Sequence, residues 1–405
     1  MDYSNWEFAK FAQGMRELGV DRPPFSDVMP GALQGVGDDK LINFAPVNFL
    51  NLQSREDVMD VIVETSRSLG IASGGSRISQ GVSVAHSALE DAMAAYHKKE
   101  ACVSFGSGAL ANLGFTQMMT ANQMFNPMLT LDHSDVVMVF DRDAHWSLWK
   151  GVETLKYGER LFSFKHNDVE HLESILRDLA GKRVCVVFES VYSLDGTVAP
   201  MHDIVDVCEK YGALSYVDDA NGFLIYGPSH RRFHREYEGM LRSSFIMVSM
   251  KKAVGVEGGV VCGTSDATIA LEPGGTAMFT AGMSAPAAAA TTYIMDLLAN
   301  REPEIVDNYL RKVDLFRARL QAEGMPVYDT QTCFTSIEIG DEALAFEVYH
   351  AYLEKGLHLP VYAYPAAKRK KAVLRIIINE GHTDAHLEKF FDASREIRDK
   401  FNLGV

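Results

Sequence analysis

The chain has 405 residues, of which 47% are hydrophobic and 23% are charged, and its formal net charge is −15. This length and composition are typical of a globular protein with a large core and two or three domains. The strong negative charge argues against a general nucleic-acid binder.

Two further classes are disfavoured. The longest apolar stretch, residues 285–299, is alanine-rich and contains Asp296, so it is too short and too polar to span a bilayer. The N-terminus lacks the basic and apolar segments of a secretory signal.

The odd number of scattered cysteines predicts reduced core residues in a cytoplasmic protein, without a disulfide framework or a metal site. They are Cys102, Cys185, Cys208, Cys262 and Cys333.

In chain order, we expect an N-terminal arm and linker (residues 1–55), a large domain (56–300) and a small C-terminal domain (301–405). The large domain alternates strand-like and helix-like segments, which predicts an α/β fold with a mostly parallel sheet. Its predicted strands are residues 102–105, 136–140, 184–189, 214–218, 245–250 and 259–262. Its predicted helices include residues 84–98, 108–120, 169–179 and 202–211. Two amphipathic helices (301–323 and 342–355) and a strand (373–378) predict a smaller α+β domain.

The first candidate motif is FGSGALANLG, in which a strand turns through Gly-Ser-Gly into a helix. Backbone N–H groups at a helix N-terminus bind phosphate. Later strand ends carry His145, then Glu189 with Ser193, then Asp218 beside Asp219. Taken alone, each of these residues is explained equally well by simple packing or by an ordinary turn. Their common position is where open α/β sheets bind ligands.

The last strand end reads VSMKKAVG and presents two adjacent lysines. A lysine at a strand end among small residues is suited to forming a Schiff base with pyridoxal phosphate. We identify Lys252 as that residue, with Lys251 as its rival. A buried carboxylate such as Asp218 would keep the ring nitrogen of this cofactor protonated.

The succession of a Gly-Ser turn, His, Glu, Asp and Lys resembles fold-type I pyridoxal-phosphate enzymes. The sequence is most similar to the α-oxoamine synthase family over residues 45–395. The similarity is carried by SGGSRISQGVSVAHSALED, SFGSGALANLG, ESVYSLDGTVAP, VSMKKAVG and AVLRIIINEGHT. It implies a fold-type I transferase with a large domain and a smaller α+β C-terminal domain.

The resemblance also implies roles for individual residues. Lys252 would carry the cofactor and move the Cα proton, Asp218 would pair with the ring nitrogen, and His145 would stack on the ring. The remaining cofactor contacts would be Ser107, Gly108, Ala109, Glu189, Ser193, Asn221, Ser249 and, across a homodimer interface, Thr280. The substrate contacts would be Asn48, Ser76 and Arg375, of which Arg375 and Asn48 would hold the amino-acid carboxylate. His382 matches a family histidine near that arginine, for which a structural role is equally expected.

The sequence departs from the family pattern at several positions. Asn221 replaces a histidine, and an amide donates a hydrogen bond without carrying charge. Lys251 replaces a small residue, and a second ammonium would depress the pKa of Lys252 unless it points to solvent. Ala109 and Ser284-Ala285 also differ from the pattern. Together they indicate a specialised branch, and HWSLWKG followed by HNDVEHL resembles the branch that makes autoinducers.

The implied reaction is a decarboxylative condensation of an amino acid with an acyl thioester, which yields an α-aminoketone, carbon dioxide and free thiol. Ser76 replaces the threonine of glycine-using relatives, which predicts a substrate larger than glycine. The methionine-rich residues 117–128 are interpreted as an acyl-chain lining or a peripheral loop. Basic residues 231–236 and 368–371 are interpreted as a solvated surface or as contacts for coenzyme A or an acyl-carrier protein. The alternatives are an aminotransferase, an aldolase or a non-catalytic subunit.

Overall fold

The computed structural model describes residues 6–22, 25–227, 232–364 and 366–404. The chain forms two compact units. The first combines residues 1–46, 312–329 and 333–405, and the second combines residues 47–311 and 330–332. The functional domain boundaries predicted near residues 55 and 300 stay predictions.

The elements alternate along the chain as the hydrophobic pattern predicts. The helices are α1 Phe8–Glu17, α2 Glu56–Leu69, α3 Val84–Tyr96, α4 Gly108–Met118, α5 Trp146–Lys150, α6 Val169–Asp178, α7 Met201–Tyr211, α8 His234–Arg242, α9 Ser265–Gly274, α10 Ala285–Asp296, α11 Glu304–Ala322, α12 Glu342–Glu354 and α13 Asp384–Phe401. The strands are β1 Leu33–Val36, β2 Asp39–Asn43, β3 Ala101–Phe105, β4 Asn122–Asn126, β5 Leu129–Asp132, β6 Val137–Asp141, β7 Leu161–Phe164, β8 Val184–Glu189, β9 Leu214–Asp218, β10 Phe245–Ser249, β11 Gly259–Gly263, β12 Phe334–Gly340, β13 Leu357–His358, β14 Val361–Tyr362 and β15 Ala372–Ile377.

The second unit is built on a seven-stranded sheet in the order β3-β11-β10-β9-β8-β6-β7. Strand β11 runs antiparallel to both of its neighbours, whereas the pairs from β10 to β7 are parallel. Strands β6, β8 and β10 are buried along their whole length, as expected of strands covered on both faces. The carboxyl ends of β3, β6, β8, β9 and β10 therefore lie at one edge of the sheet. The predicted α/β fold with a mostly parallel sheet is confirmed.

The first unit contains two small sheets. Strand β15 lies between β12 and β14 and is antiparallel to both. A second sheet has the order β1-β2-β13. All six residues of β15 are buried, including the charged Arg375. Such a strand is a rigid support for a charged side chain.

The alanine-rich segment near residue 290 is a core helix. Ser284 caps α10 by accepting a hydrogen bond from the backbone of Ala287, and Pro286 lies in the first turn, where its missing N–H costs nothing. Most of the helix is buried. Among the residues that the structure describes, no helix is both long and apolar enough to cross a membrane.

The expectation that all five cysteines are reduced is wrong for one pair. Cys102 on β3 lies directly opposite Cys262 on β11, and the two form a disulfide with a Cα–Cα distance of 4.1 Å. The pairing follows from strand register across 160 residues of sequence, which cysteine spacing alone does not reveal. The other three, Cys185, Cys208 and Cys333, are buried and free as predicted.

The methionine-rich residues 117–128 cover the end of α4, strand β4 and the turn that leads into β5, with which β4 forms a hairpin. The hairpin is anchored by Gln123, whose amide donates to the backbone oxygen of Gly274 at 2.7 Å. Met124 and Met128 are exposed, at 72% and 89%. The two interpretations, an acyl-chain lining and a peripheral loop, therefore both stay open.

Candidate active site

Asp218 and Asp219 follow one another at the end of β9 but have different partners. Asp219 accepts hydrogen bonds from the hydroxyls of Ser190 (2.5 Å) and Tyr237 (3.1 Å), and burial raises its pKa to about 8. Asp218 accepts from the backbone N–H of Ala220 at 3.0 Å. Asp219 is thus engaged by structural hydroxyls, which leaves Asp218 as the candidate for the ring nitrogen.

A second hydrogen-bond donor to Asp218 is the side chain of Asn112 on α4, whose Nδ2 donates to Oδ2 at 2.9 Å. Burial raises the pKa of Asp218, and electrostatic attraction to His145, the hydrogen bonds from Asn112 and Ala220 and the charge of Lys252 oppose that shift. The sequence did not single out Asn112. Its signal was an amide in an otherwise apolar helix, four residues after Gly108 and therefore on the same helical face.

The two adjacent lysines after β10 differ in environment. Lys251 is exposed, whereas Lys252 is half-buried. The charge of Lys252 lowers the pKa of both Asp218 and Glu189, which requires its ammonium to lie near these two carboxylates. Solvent exposure of Lys251 favours the interpretation that it points to solvent over the one that it tunes Lys252.

Glu189, His145 and Asn221 are joined by hydrogen bonds. The backbone N–H of His145 donates to Glu189, and the Asn221 amide donates to the Val191 backbone oxygen at 2.9 Å. The Asn221 Nδ2 is also 3.4 Å from Glu189 Oε2. Burial raises the pKa of Glu189 well above its usual value, with a further increase from Asp218. Ser193 lies half-buried in the turn that follows β8.

His145 itself is exposed, and its Nδ1 is held by a neighbouring serine. The Nδ1 atom lies 2.8 Å from the Ser147 hydroxyl and 3.3 Å from the Ser147 backbone nitrogen. These contacts fix the ring at the end of β6 while leaving its face accessible. This geometry is compatible with stacking on a planar ligand.

The Gly-Ser turn forms a close-packed cradle at the start of α4. Ser107 caps the helix by accepting from the backbone N–H of Leu110, while the N–H groups of Gly108 and Ala109 belong to the first turn and have no partner within the helix. A Cβ atom on Gly108 would lie 2.8 Å from the Ser249 Cβ, so only glycine fits. The turn therefore places two backbone donors beside the Ser249 side chain.

The other predicted contacts of the second unit lie in loops. Thr280 donates to the backbone oxygen of Thr276 at 3.0 Å. Ser76 forms an isolated β-bridge with Ala281, and its hydroxyl lies 3.3 Å from that of Ser79. Asn48 is buried at 7% exposure. The roles predicted for Thr280, Ser76 and Asn48 stay predictions.

Arg375 lies in the first unit and is only 6% exposed. Its guanidinium stacks over the ring of Tyr362 at 4.5 Å, and its Nε has no hydrogen-bond partner in the described part of the chain. Burial lowers its pKa, and no described carboxylate pairs with it. A buried cation without an anion is costly, which makes Arg375 a candidate to bind an anionic ligand.

His382 is a packed residue of the same unit. Its ring stacks on Phe44 at 4.5 Å, and its Nδ1 accepts from the backbone N–H of Asn379 at 2.9 Å. Burial lowers its pKa to about 4, so the ring is neutral near pH 7. These contacts favour the structural interpretation of His382.

The residues of the second unit fit pyridoxal phosphate. Asp218 is a buried carboxylate that can pair with the ring nitrogen. Lys252 is an amine that lies close enough to Asp218 to lower the pKa of that carboxylate. Asn221 has a buried Oδ1 with no partner among the described residues, as expected of an atom that serves a ligand. The first turn of α4 suits a phosphate. The ring nitrogen and the phosphate of the cofactor would thus each have a complementary group.

Known proteins resemble the chain over most of its length. The sequence profile of the family described as aminotransferase class I and II matches residues 39–393. The 8-amino-7-oxononanoate synthases of Alkaliphilus oremlandii and Symbiobacterium thermophilum are 28% and 27% identical, and the alignments cover 96% of this chain and 96% and 97% of theirs. Sphingomonas wittichii serine palmitoyltransferase superposes with a TM-score of 0.84 at 24% identity, covering 99% of both chains. A serine palmitoyltransferase solved with its pyridoxal phosphate internal aldimine gives 0.86 at 22% identity over 100% of both.

Proposed function

The chain belongs to the aminotransferase class I and II family, and we propose that it is an acyltransferase that condenses an amino acid with an acyl thioester. The fold-type I architecture, the pyridoxal phosphate cofactor and the resemblance to α-oxoamine synthases predicted from the sequence are confirmed. The products are an α-aminoketone, carbon dioxide and free thiol. The relatives named 8-amino-7-oxononanoate synthase support this reaction class.

The observation that carries the proposal is the meeting of Asp218 and Lys252 at neighbouring strand ends, β9 and β10. When bound, the cofactor supplies an electron sink for negative charge at the substrate Cα. Asp218 holds the proton on the ring nitrogen. Lys252 is the covalent attachment point and then takes the Cα proton, for which its amine must be neutral.

Other groups of the second unit orient the cofactor. His145 stacks on the ring, and Asn221 lies beside the ring oxygen together with Glu189 and Ser193. Ser107, Gly108, Ala109 and Ser249 hold the phosphate. Thr280 of a second copy of this chain completes the phosphate site, which makes the active unit a homodimer in the cytoplasm.

Arg375 binds the carboxylate of the amino acid. Its buried guanidinium lacks an anionic partner among the described residues, and the planar fork of arginine suits a carboxylate. Asn48 assists it, and Ser76 leaves space beside Cα. We therefore expect alanine, serine or a larger amino acid to be turned over faster than glycine. Equal or faster turnover of glycine would contradict this preference.

The acyl donor is coenzyme A-linked or carried by an acyl-carrier protein. Several of the basic side chains considered for this contact have intramolecular partners: Arg235 pairs with Asp203 and Lys371 with Glu338. Arg231 lies outside the described residues. Pairing weakens the case for a dedicated carrier-binding surface at either segment, so coenzyme A is the donor to test first.

The first experiment compares two alanine variants. Lys252→Ala is expected to abolish the visible absorbance of the bound cofactor and the adduct that borohydride reduces, because the attachment point is lost. Lys251→Ala is the matched control and is expected to keep both. A reducible adduct that survives in Lys252→Ala but not in Lys251→Ala would assign the attachment to Lys251.

The second experiment separates the proposed reaction from its rivals. Wild-type protein is incubated with a panel of amino acids and acyl-coenzyme A donors, and carbon dioxide and free thiol are measured together. The condensation releases both in equal amounts. Transfer of the amino group to a keto acid, or carbon–carbon cleavage without thiol release, would identify an aminotransferase or an aldolase. No turnover of any donor despite bound cofactor would favour a non-catalytic subunit.

A further inference from the structure

Asn112 occupies the centre of a buried hydrogen-bond network. Its Oδ1 accepts from the Tyr216 hydroxyl at 2.6 Å, and its Nδ2 donates to Asp218 Oδ2 and to the Ser147 hydroxyl oxygen, both at 2.9 Å. Asn112 and Ser147 are each 1% exposed, and Tyr216 is fully buried. Both polar atoms of the amide are therefore engaged, in a place where an unmet hydrogen bond is costly.

The chemistry of the neighbours fixes the orientation of this amide. A flipped amide would direct its oxygen at the Asp218 carboxylate, and two acceptors would then face each other. It would also direct its NH₂ group at the Tyr216 hydroxyl, which is placed to donate. The observed orientation is the one in which every contact pairs a donor with an acceptor. The amide consequently donates to Asp218, which favours the ionised carboxylate.

The second branch of the network runs through Ser147. Because its oxygen accepts an N–H of Asn112, its own proton is directed at His145 Nδ1, 2.8 Å away. The backbone N–H of Ser147 points at the same Nδ1 at 3.3 Å. A nitrogen that faces two donors is the acceptor, so the geometry places the ring proton on Nε2.

We propose that Asn112 is a positioning residue that couples the two groups flanking the cofactor: it holds Asp218 as a carboxylate and, through Ser147, holds His145 as the Nε2–H tautomer. The inference rests on the roles proposed for Asp218 and His145. A single amide therefore influences both the charge at the ring nitrogen and the position of the proton on the stacking ring.

Two predictions separate this role from a purely structural one. In Asn112→Ala, Asp218 loses a donor, so pyridoxal phosphate is expected to bind about 10-fold more weakly at pH 6 and within about 2-fold of wild type at pH 8.5. Tyr216→Phe is expected to change affinity in the same direction by a smaller factor, because the amide is freed to rotate. A loss of affinity that is equal at both pH values would overturn the assignment.

The histidine branch is tested without the cofactor. Nitrogen-15 NMR of the cofactor-free protein, with the His145 signal identified by His145→Gln, is expected to show Nε2–H in the wild type and a mixture of tautomers in both Asn112→Ala and Ser147→Ala. An unchanged tautomer in both would overturn the coupling. Since this measurement needs no cofactor, it stands even if the lysine experiment fails.

The matched control is Thr116→Val on the same helix. The Thr116 hydroxyl is buried and bonds only to backbone oxygens of α4, those of Asn112 and Leu113. It is expected to leave the tautomer and the pH dependence of binding unchanged. Circular dichroism identifies any variant that fails to fold, and Ser147→Ala and Tyr216→Phe, which remove one hydroxyl each, test the same network with the least disturbance.

Discussion

Asp218 and Arg375 are both charged and buried, but they differ in the partners that the chain provides for the charge. Asp218 receives hydrogen bonds from Asn112 and from the backbone of Ala220. Arg375 has a ring face on one side and, among the described residues, neither a carboxylate partner nor an acceptor for its Nε. The chain itself stabilises the charge of Asp218, whereas these residues provide no anion for the charge of Arg375.

The difference matches the two kinds of ligand proposed for these groups. A resident cofactor requires a site that keeps its geometry and charge between turnovers, and preorganised donors provide this. A substrate that binds and leaves must supply the missing interaction itself, so that binding energy is released on arrival. A guanidinium kept without a partner is destabilising before the substrate arrives.

The largest effect is expected when the negative charge of Asp218, which the chain itself stabilises, is removed. Asp218→Asn keeps the size of the side chain but cannot hold a negative charge beside the ring nitrogen. We expect kcat to fall by roughly 10²–10³-fold, the range seen when one preorganised electrostatic contact is lost. Steady-state kinetics measure the change, and Asp219→Asn is the control, because Asp219 bonds to Ser190 and Tyr237 instead. Equal losses in the two variants would break the distinction between these aspartates.

A smaller kinetic effect is expected when Arg375 is replaced, and the stability of the protein is expected to stay equal or to increase. Arg375→Met keeps the apolar stem and removes the buried charge, so KM for the amino acid is expected to rise about 30- to 100-fold. The free energy of unfolding, from urea denaturation, is expected to stay equal or to increase by about 1 kcal/mol.

Arg317 provides the matched control within the same unit. It is also buried, at 5% exposure, but its guanidinium lies near Asp314 and donates to the backbone oxygen of Phe334. Arg317→Met is expected to destabilise the protein and to leave KM unchanged. If Arg375→Met destabilised the protein as much as Arg317→Met does, Arg375 would be a structural residue and the comparison would fail.

The position of Asp218 was largely predictable from the sequence, because it depends on the order of the strands. The segments 184–189 and 214–218 were predicted as strands with the bounds that β8 and β9 have in the structure. Short apolar runs ending in a polar residue are local patterns, and parallel strands bring their carboxyl ends together. The positions of Glu189, Asp218 and Lys252 at one sheet edge therefore followed from local information.

What the sequence did not reveal depends on contacts between distant segments. Asn112 and Tyr216 are 104 residues apart and Cys102 and Cys262 are 160 apart. Their pairing is set by the packing of α4 on the sheet and by the antiparallel register of β11, neither of which has a periodic signal. The burial of Arg375 without a carboxylate is likewise a property of the packed chain.

His166 is a third buried titratable group, and like Asp218 it has its partners within the chain. Burial lowers its pKa, but a hydrogen bond and charge from Asp141 and the charges of Asp143 and Asp195 outweigh burial, and the pKa is raised overall. Its Nδ1 lies 3.1 Å from Asp141, at the end of β6, and its Nε2 lies 2.9 Å from the Thr197 hydroxyl. The His166 ring thus links the end of β6 to the loop that follows the neighbouring strand β8.

The raised pKa has a definite sign for stability. A histidine whose pKa is higher in the folded state adds stability that is fully present below its unfolded pKa of about 6.5 and is lost as the pH rises through the folded value. The difference in unfolding free energy between wild type and His166→Gln is therefore expected to be about 1–2 kcal/mol at pH 6 and to shrink by pH 9. His97 has the opposite sign: burial lowers its pKa to about 4 in the folded state, whereas the unfolded chain takes up a proton near pH 6.5, so the cost of His97→Gln is expected to be smaller at pH 6 than at pH 9. A cost of His166→Gln that stayed constant or rose with pH, as for His97→Gln, would mean that the pKa of His166 is not raised, and His166 would then not belong with Asp218 among the groups that the chain itself stabilises.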